Sequence, residues 1–94
     1  MPESSGSSEP TRILIVDDDA AVRNVITVLL GEEGYACQAV SSAEAGLDAA
    51  RQGDFSLVIS DVRLPGKDGF WLLERLRALD GRMRELRAAL GLGR

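Results

Sequence analysis

Histidine is absent from this 94-residue sequence, and cysteine occurs once, at Cys37. Without histidine, the sequence excludes histidine-ligated zinc sites and nucleophilic catalysis by Ser–His or Cys–His pairs. A single cysteine also excludes a disulfide within the chain and a zinc-ribbon site. Aromatic residues make up only 4% of the chain. The core must therefore be built from Leu, Val, Ile and Ala.

The sequence also lacks long hydrophobic runs and a basic leader. No apolar run approaches the roughly 18 residues of a membrane span. The N-terminus does not have the basic region and apolar stretch of a secretory signal. These features predict a cytoplasmic protein with no membrane partner, and the net charge of −4 does not suggest a nucleic-acid partner.

Three short apolar runs follow a polar leader. Residues 1–11 are rich in Ser, Gly, Pro and Glu, which predicts a disordered segment. The run 12–16 is continuous, rich in β-branched residues and typical of a strand buried on both faces. Residues 35–40 and 55–60 predict two further strands.

Helical patterns separate and follow these strands. The first helix has an apolar stripe and is predicted to start at Asp19 and end at Gly34; the stripe consists of Val22, Val25, Ile26, Leu29 and Leu30. A capping box, Ser41 to Glu44, predicts the start of the second helix, which Gly53 ends. The third helix is predicted to start near Asp68 or Gly69.

The predicted order is therefore β-α-β-α-β-α. Strands that alternate with crossover helices form parallel sheets, and their connections are right-handed. The sequence thus predicts an α/β fold with a three-stranded parallel sheet. In such sheets, ligands bind beyond the carboxyl ends of the strands, at the point where the strand order reverses.

Acidic residues follow the first and third strands. Asp17 and Asp18 come directly after the first strand, and Asp61 comes directly after the third, 44 positions later. If the second and third strands lie on opposite sides of the first, these three carboxylates meet at one edge of the sheet. Carboxylates held together without histidine or cysteine suit a hard divalent cation, Mg²⁺ before Ca²⁺. A carboxylate beside such an ion can also attack phosphorus.

A structural explanation of the same residues stays open. Asp17 to Asp19 can serve only as a helix N-cap with acids that favour the helix dipole, and Asp61 can simply start a turn.

Two segments resemble the receiver domain of bacterial response regulators. The first is I-L-I-V-D-D-D-A-A-V-R, from Ile13, and the second is L-V-I-S-D-V-R-L-P-G-K-D-G, from Leu57 to Gly69. The resemblance covers about residues 12–80. It implies a flavodoxin-like fold with strand order 2-1-3 at its start, and a signalling module, not an enzyme.

The resemblance also assigns roles to the acidic residues. Asp61 corresponds to the phosphoacceptor, and Asp17 with Asp18 corresponds to the acidic pair that binds Mg²⁺. The main-chain carbonyl of Arg63 corresponds to a further metal ligand. The implied partner is a histidine kinase or phosphotransfer protein, whose phosphohistidine supplies the phosphoryl group.

The sequence departs from the family after the third helix. The family's domain has five strands, with a Ser or Thr after the fourth and a Lys after the fifth, and both contact the phosphoryl group. Here residues 80–94 contain no Ser, Thr or Lys, and Lys67 lies in the wrong segment to match. The family's later strands have no counterpart in this sequence, so we expect a partial receiver domain over 12–80 and a helical tail over 81–94.

An interrupted heptad pattern runs from the third helix into the tail. Its apolar stripe predicts an extra helix and consists of Leu72, Leu76, Leu79, Met83, Leu86 and Leu90. Three interpretations remain open: a dimerising helix, an amphipathic segment folded back on the sheet, or a chain that ends early through truncation or a frame change.

Three functions follow from the sequence. The first is a receiver module phosphorylated on Asp61. The second is a phosphorylation-incompetent fragment that acts through interaction, as a homodimer joined by the exposed third strand or the tail. The third, least supported, is a small Mg²⁺-dependent phosphatase, since Asp17-x-Asp19 is similar to the motif of haloacid-dehalogenase-type enzymes.

Overall fold

A computed structural model of the chain describes residues 9–79. Strands and helices alternate in the predicted order: β1 Arg12–Val16, α1 Ala20–Glu32, β2 Ala36–Val40, α2 Ala43–Gln52, β3 Leu57–Ser60 and α3 Gly69–Arg77. The three strands form one parallel sheet in the order β2-β1-β3, which confirms the predicted order. In this part of the chain, no helix is both long and apolar enough to cross a membrane.

Strand β1 is the centre of the sheet. Ile13 pairs with Cys37 on one side and with Leu57 on the other, and this register continues along the strand. Ile13 to Val16 are each at most 2% exposed, as a strand covered on both faces requires. The apolar run of β1 is continuous because a central strand has no face exposed to water.

The strand order places the helices on opposite faces of the sheet. The chain moves from β1 to β2 in one direction and from β2 past β1 to β3 in the other. Crossovers of this kind are right-handed as a rule, so connections in opposite directions put α1 and α2 on different faces. Helix α3 packs with α2.

The main hydrophobic core lies on the α2–α3 face. Leu14 and Val16 point into it from β1, and Leu72 and Leu76 point into it from α3. Gly46 of α2 allows close packing there, since a Cβ atom at this position would lie 3.0 Å from Val16 Cγ2. Small side chains at Ala43, Ala49 and Ala50 complete this face of α2.

The α1 face of the sheet is less tightly packed than the α2–α3 face. Helix α1 packs over β1 and β2, and none of its residues is fully buried. Val25 and Leu29 of the predicted stripe are 54% and 57% exposed, and Val28 is 49% exposed. The residues of the predicted stripe are therefore covered unequally: Val22, Ile26 and Leu30 are half-buried, whereas Val25 and Leu29 are exposed.

Helix ends agree with the sequence except at one position. Asp19 and Asp68 cap α1 and α3, and Gly53 follows the last turn of α2. The capping box was predicted to start at Ser41, but the N-cap of α2 is Ser42, whose Oγ accepts a hydrogen bond from the Ala45 N–H. Glu44 lies in the first turn, where a negative charge suits the helix dipole.

The heptad pattern is explained in part by the core. Leu72 and Leu76 are buried, and Leu79 packs against the same cluster, so these residues are used within the chain. Met83, Leu86 and Leu90, with the predicted tail 81–94, lie outside the described residues, as does most of the predicted leader.

Candidate functional site

The sheet holds two of the three acidic residues by backbone hydrogen bonds. The Asp17 N–H donates to the carbonyl of Val40 at 3.1 Å, and the Asp61 N–H donates to the carbonyl of Val16 at 2.9 Å. Both residues thereby continue the strand ladder one position beyond β1 and β3. Because the strands are parallel, both acids are delivered to the same edge of the sheet.

The three carboxylates meet at this edge, as the sequence predicts. One oxygen from each of Asp17, Asp18 and Asp61 lies within 4.8 Å of the others. Asp17 is 2% exposed and Asp61 is 1% exposed, whereas Asp18 is exposed. The cluster therefore consists of two buried carboxylates and one exposed carboxylate, Asp18, which solvent or a ligand can reach.

Asp19 has a different role from its two neighbours. Its Oδ1 accepts hydrogen bonds from the N–H groups of Ala21 and Val22, which caps α1. Its own N–H donates to Asp17 Oδ1 at 2.8 Å. The helix-capping explanation thus applies to Asp19, while Asp17 and Asp18 belong to the cluster.

Arg23 contacts the acidic loop, and the sequence analysis did not identify it. Its Nη1 donates to the main-chain carbonyl of Asp17 at 2.7 Å. Helical side chains point toward the N-terminus of their helix, so an arginine four residues after the cap Asp19 can reach the preceding loop. That spacing is the signal in the sequence from which this contact could have been inferred.

The loop after β3 is folded tightly around Asp61. The Arg63 N–H donates to Asp61 Oδ1 at 3.2 Å, and the Ser60 hydroxyl donates to the Asp61 carbonyl at 2.9 Å. The Gly69 N–H closes the loop onto the carbonyl of Val62 at 2.9 Å. The start of α3 is thereby held directly against the backbone of the acidic residue.

Lys67 and Cys37 do not belong to the cluster. The Lys67 ammonium lies over the Trp71 ring at 5.8 Å, and the Arg75 guanidinium lies over the same ring at 5.2 Å. Cys37 is paired with Ile13, near the amino ends of the strands. Burial raises the pKa of the Cys37 thiol, which lowers its thiolate fraction.

The donor set of the cluster fits a hard divalent cation. It consists of carboxylate oxygens, the ligands that Mg²⁺ and Ca²⁺ prefer, and softer metals would favour thiolate or imidazole ligands. Three carboxylates this close repel one another, and a cation between them would relieve that repulsion.

Comparison with known proteins assigns the chain to a family. A family model of the response regulator receiver domain matches residues 13–86. The transcriptional regulatory protein FixJ of Bradyrhizobium diazoefficiens is 44% identical over 66 residues, which cover 70% of this chain and 32% of that protein.

Solved structures of response regulators are also similar to this chain. The response regulator TrrA of Thermotoga maritima, solved in complex with Mg²⁺-BeF, superposes with a TM-score of 0.73 and 29% identity; the match covers 83% of this chain and 65% of that one. TrrA in complex with the histidine kinase ThkA matches with a TM-score of 0.74 and 30% identity, over 85% and 66% of the two chains.

The fold and the acidic edge thus define a signalling domain of the two-component type. The chain belongs to the response regulator receiver domain family. It spans about a third of the length of the FixJ relative. The resemblance seen in the sequence is therefore confirmed, and the three-stranded sheet corresponds to an incomplete flavodoxin-like fold.

Replacing Gly69 with alanine should destabilise the protein and disturb the loop of Asp61. A Cβ atom at residue 69 would lie 2.6 Å from the Asp61 carbonyl oxygen and 3.0 Å from Val62 Cα, and backbone atoms cannot move aside cheaply. We expect a loss of about 1–3 kcal/mol in the free energy of unfolding, measured by urea denaturation. Gly31→Ala is the control, because nothing lies within 4 Å of its Cβ position and alanine favours a helix. Equal stabilities for the two variants would contradict the tight contact.

Proposed function

We propose that this domain accepts a phosphoryl group on Asp61 from the phosphohistidine of a histidine kinase or phosphotransfer protein. The observation that carries the proposal is the convergence of Asp17, Asp18 and Asp61 at the carboxyl edge of the sheet. Family membership supports it, as does the complex of the similar protein TrrA with a histidine kinase. We place this activity in the cytoplasm, where such kinases act on soluble receivers.

Asp17, Asp18 and Asp61 would hold Mg²⁺, with the main-chain carbonyl of Arg63 as a further ligand by analogy with the family. The carboxylate donor set and the Mg²⁺-BeF complex of TrrA support this assignment. Bound Mg²⁺ supplies positive charge that offsets the negative charge of the acids and of the incoming phosphoryl oxygens.

The transfer itself would occur at the Asp61 carboxylate. One oxygen of Asp61 attacks phosphorus, an O–P bond forms, and the N–P bond of phosphohistidine breaks. The imidazole nitrogen leaves with the electron pair of that bond. The hydrogen bond from the Arg63 N–H to Asp61 Oδ1 orients the carboxylate for this attack.

Mg²⁺ should stabilise the wild-type protein, and Asp18→Asn should abolish the effect. At a Mg²⁺ concentration a hundred times its Kd, mass action adds about 2.7 kcal/mol to the free energy of unfolding. The measurement is a thermal melt over a Mg²⁺ series at constant ionic strength, with Trp71 fluorescence as a second signal. Asp48→Asn removes the same charge from an exposed position of α2 and should keep the response. An unchanged response in Asp18→Asn would show that Asp18 is not a ligand.

Acetyl phosphate with Mg²⁺ should phosphorylate Asp61 slowly. The family's Ser or Thr and Lys, which contact the phosphoryl group, have no counterpart in residues 80–94, and Lys67 lies over Trp71 instead. Fewer charged donors for the phosphoryl oxygens mean a higher barrier. Intact-mass spectrometry over time measures the rate, and Asp61→Asn is the control that should stay unlabelled. Rapid, near-complete labelling would contradict the predicted rate, and no label on Asp61 would contradict the proposed function.

A second function, self-association, is favoured by the edge position of β3 in the sheet that the structure describes. In the described part of the chain, β3 pairs only with β1, and Ser56 to Ser60 carry no charge that would oppose pairing. Leu57 and Ile59 are half-buried. A two-fold axis would pair the β3 strands of two copies antiparallel and bring these side chains together.

The chain should therefore show a mass that rises with concentration in sedimentation velocity. Ile59→Lys should lower this association, because a charge on the pairing strand opposes it. Gln38→Lys places the same charge on an exposed position of β2, at the opposite edge, and should have a smaller effect. A single monomeric species at high concentration, with β3 amides protected from hydrogen exchange, would rule out pairing between copies.

A further inference from the structure

Arg23 connects helix α1 to the backbone of the acidic loop. Its N–H donates to the Asp19 carbonyl at 3.0 Å as part of the helix, and its Nη1 donates to the Asp17 carbonyl at 2.7 Å. The side chain is half-buried, so it lies along the protein surface toward the loop. A short hydrogen bond from a charged donor is among the stronger kinds in proteins.

This bond completes a set of restraints on Asp17. Its N–H is held by Val40 of β2, its Oδ1 by the N–H of Asp19, and its carbonyl by Arg23 of α1. The carbonyl belongs to the peptide unit that leads into Asp18. Since a peptide unit is planar, holding its oxygen also sets the direction in which Asp18 leaves the strand.

We propose that Arg23 is a positioning residue for the divalent cation. It holds the Asp17–Asp18 peptide so that the exposed carboxylate of Asp18 stays directed toward the two buried ones. The inference rests on the proposed metal site, and it adds a residue that is not itself a ligand. Groups that hold ligands in place commonly change metal affinity 10- to 100-fold when they are removed.

The direction in which Mg²⁺ affinity changes when Arg23 is replaced distinguishes a positioning role from an effect of its charge. A guanidinium near the cluster repels a cation, so its removal would tighten Mg²⁺ binding if charge alone mattered. If Arg23 positions the ligands, its removal weakens binding although a positive charge has been lost. The two explanations therefore predict opposite changes in the Kd for Mg²⁺.

The test compares Mg²⁺ titrations of the wild type, Arg23→Met, Arg23→Lys and the control Arg51→Met, at constant ionic strength and under conditions where each protein is folded. We expect Arg23→Met to bind Mg²⁺ about tenfold more weakly. Arg23→Lys keeps the charge and a donor on a shorter side chain, so its affinity should fall in between. Arg51 is exposed at the last turn of α2, far from the carboxyl edge, and its variant should bind like the wild type.

A second readout uses the metal-free protein. The Asp19 amide donates to Asp17 Oδ1, so its hydrogen exchange should accelerate in Arg23→Met if the loop loosens, while amides of β1 keep their protection. Unchanged exchange, or Mg²⁺ binding as tight as in the wild type, would overturn the role of Arg23. If Arg23→Met does not fold, unchanged affinity in Arg23→Lys would overturn it. If the wild type binds no Mg²⁺, the metal site itself fails, and the exchange experiment still decides whether Arg23 orders the loop.

Discussion

The pairing of β1 with a parallel strand on each side is the constraint on which the rest of the structure depends. It buries Ile13 to Val16 completely and aligns the carboxyl ends of β1 and β3. The ladder then continues through the backbone of Asp17 and Asp61. Two acids are thus held at the edge of the sheet by the same hydrogen bonds that hold the sheet together. Burying two carboxylates side by side costs free energy, and a bound cation would offset that cost.

The two faces of this sheet differ in how tightly they are packed. On one face, α2 and α3 enclose a core packed so closely that a Cβ atom at residue 46 would lie 3.0 Å from Val16 Cγ2. On the other face, α1 leaves Val25 and Leu29 largely exposed. The tightly packed face contains α3, whose start lies against the loop of Asp61.

The acidic edge was more predictable than the contacts that support it. Asp17, Asp18 and Asp61 could be selected because they follow buried strands, and their meeting depended on the strand order 2-1-3, which the family resemblance implied. The N-cap of α2 was misplaced by one residue, since Ser41 and Ser42 are chemically alike and only the backbone conformation selects Ser42. Arg23 was missed because its acceptor is a main-chain carbonyl, so its spacing of four residues from the cap Asp19 was the only signal of the contact.

By itself, the sequence determined the element order, the aliphatic core and the identity of the three clustered acids. Periodicity and turn residues are local signals that determine the element order and indicate a parallel sheet, whereas the strand order 2-1-3 was implied by the family resemblance. Only the tertiary structure decided which apolar residues are covered, and it left Val25 and Leu29 exposed although they belong to the same stripe as Ile26. It also decided that Gly69 must lack a side chain, because the Asp61 carbonyl occupies that space. Burial and close approach depend on where distant segments meet, which no local pattern encodes.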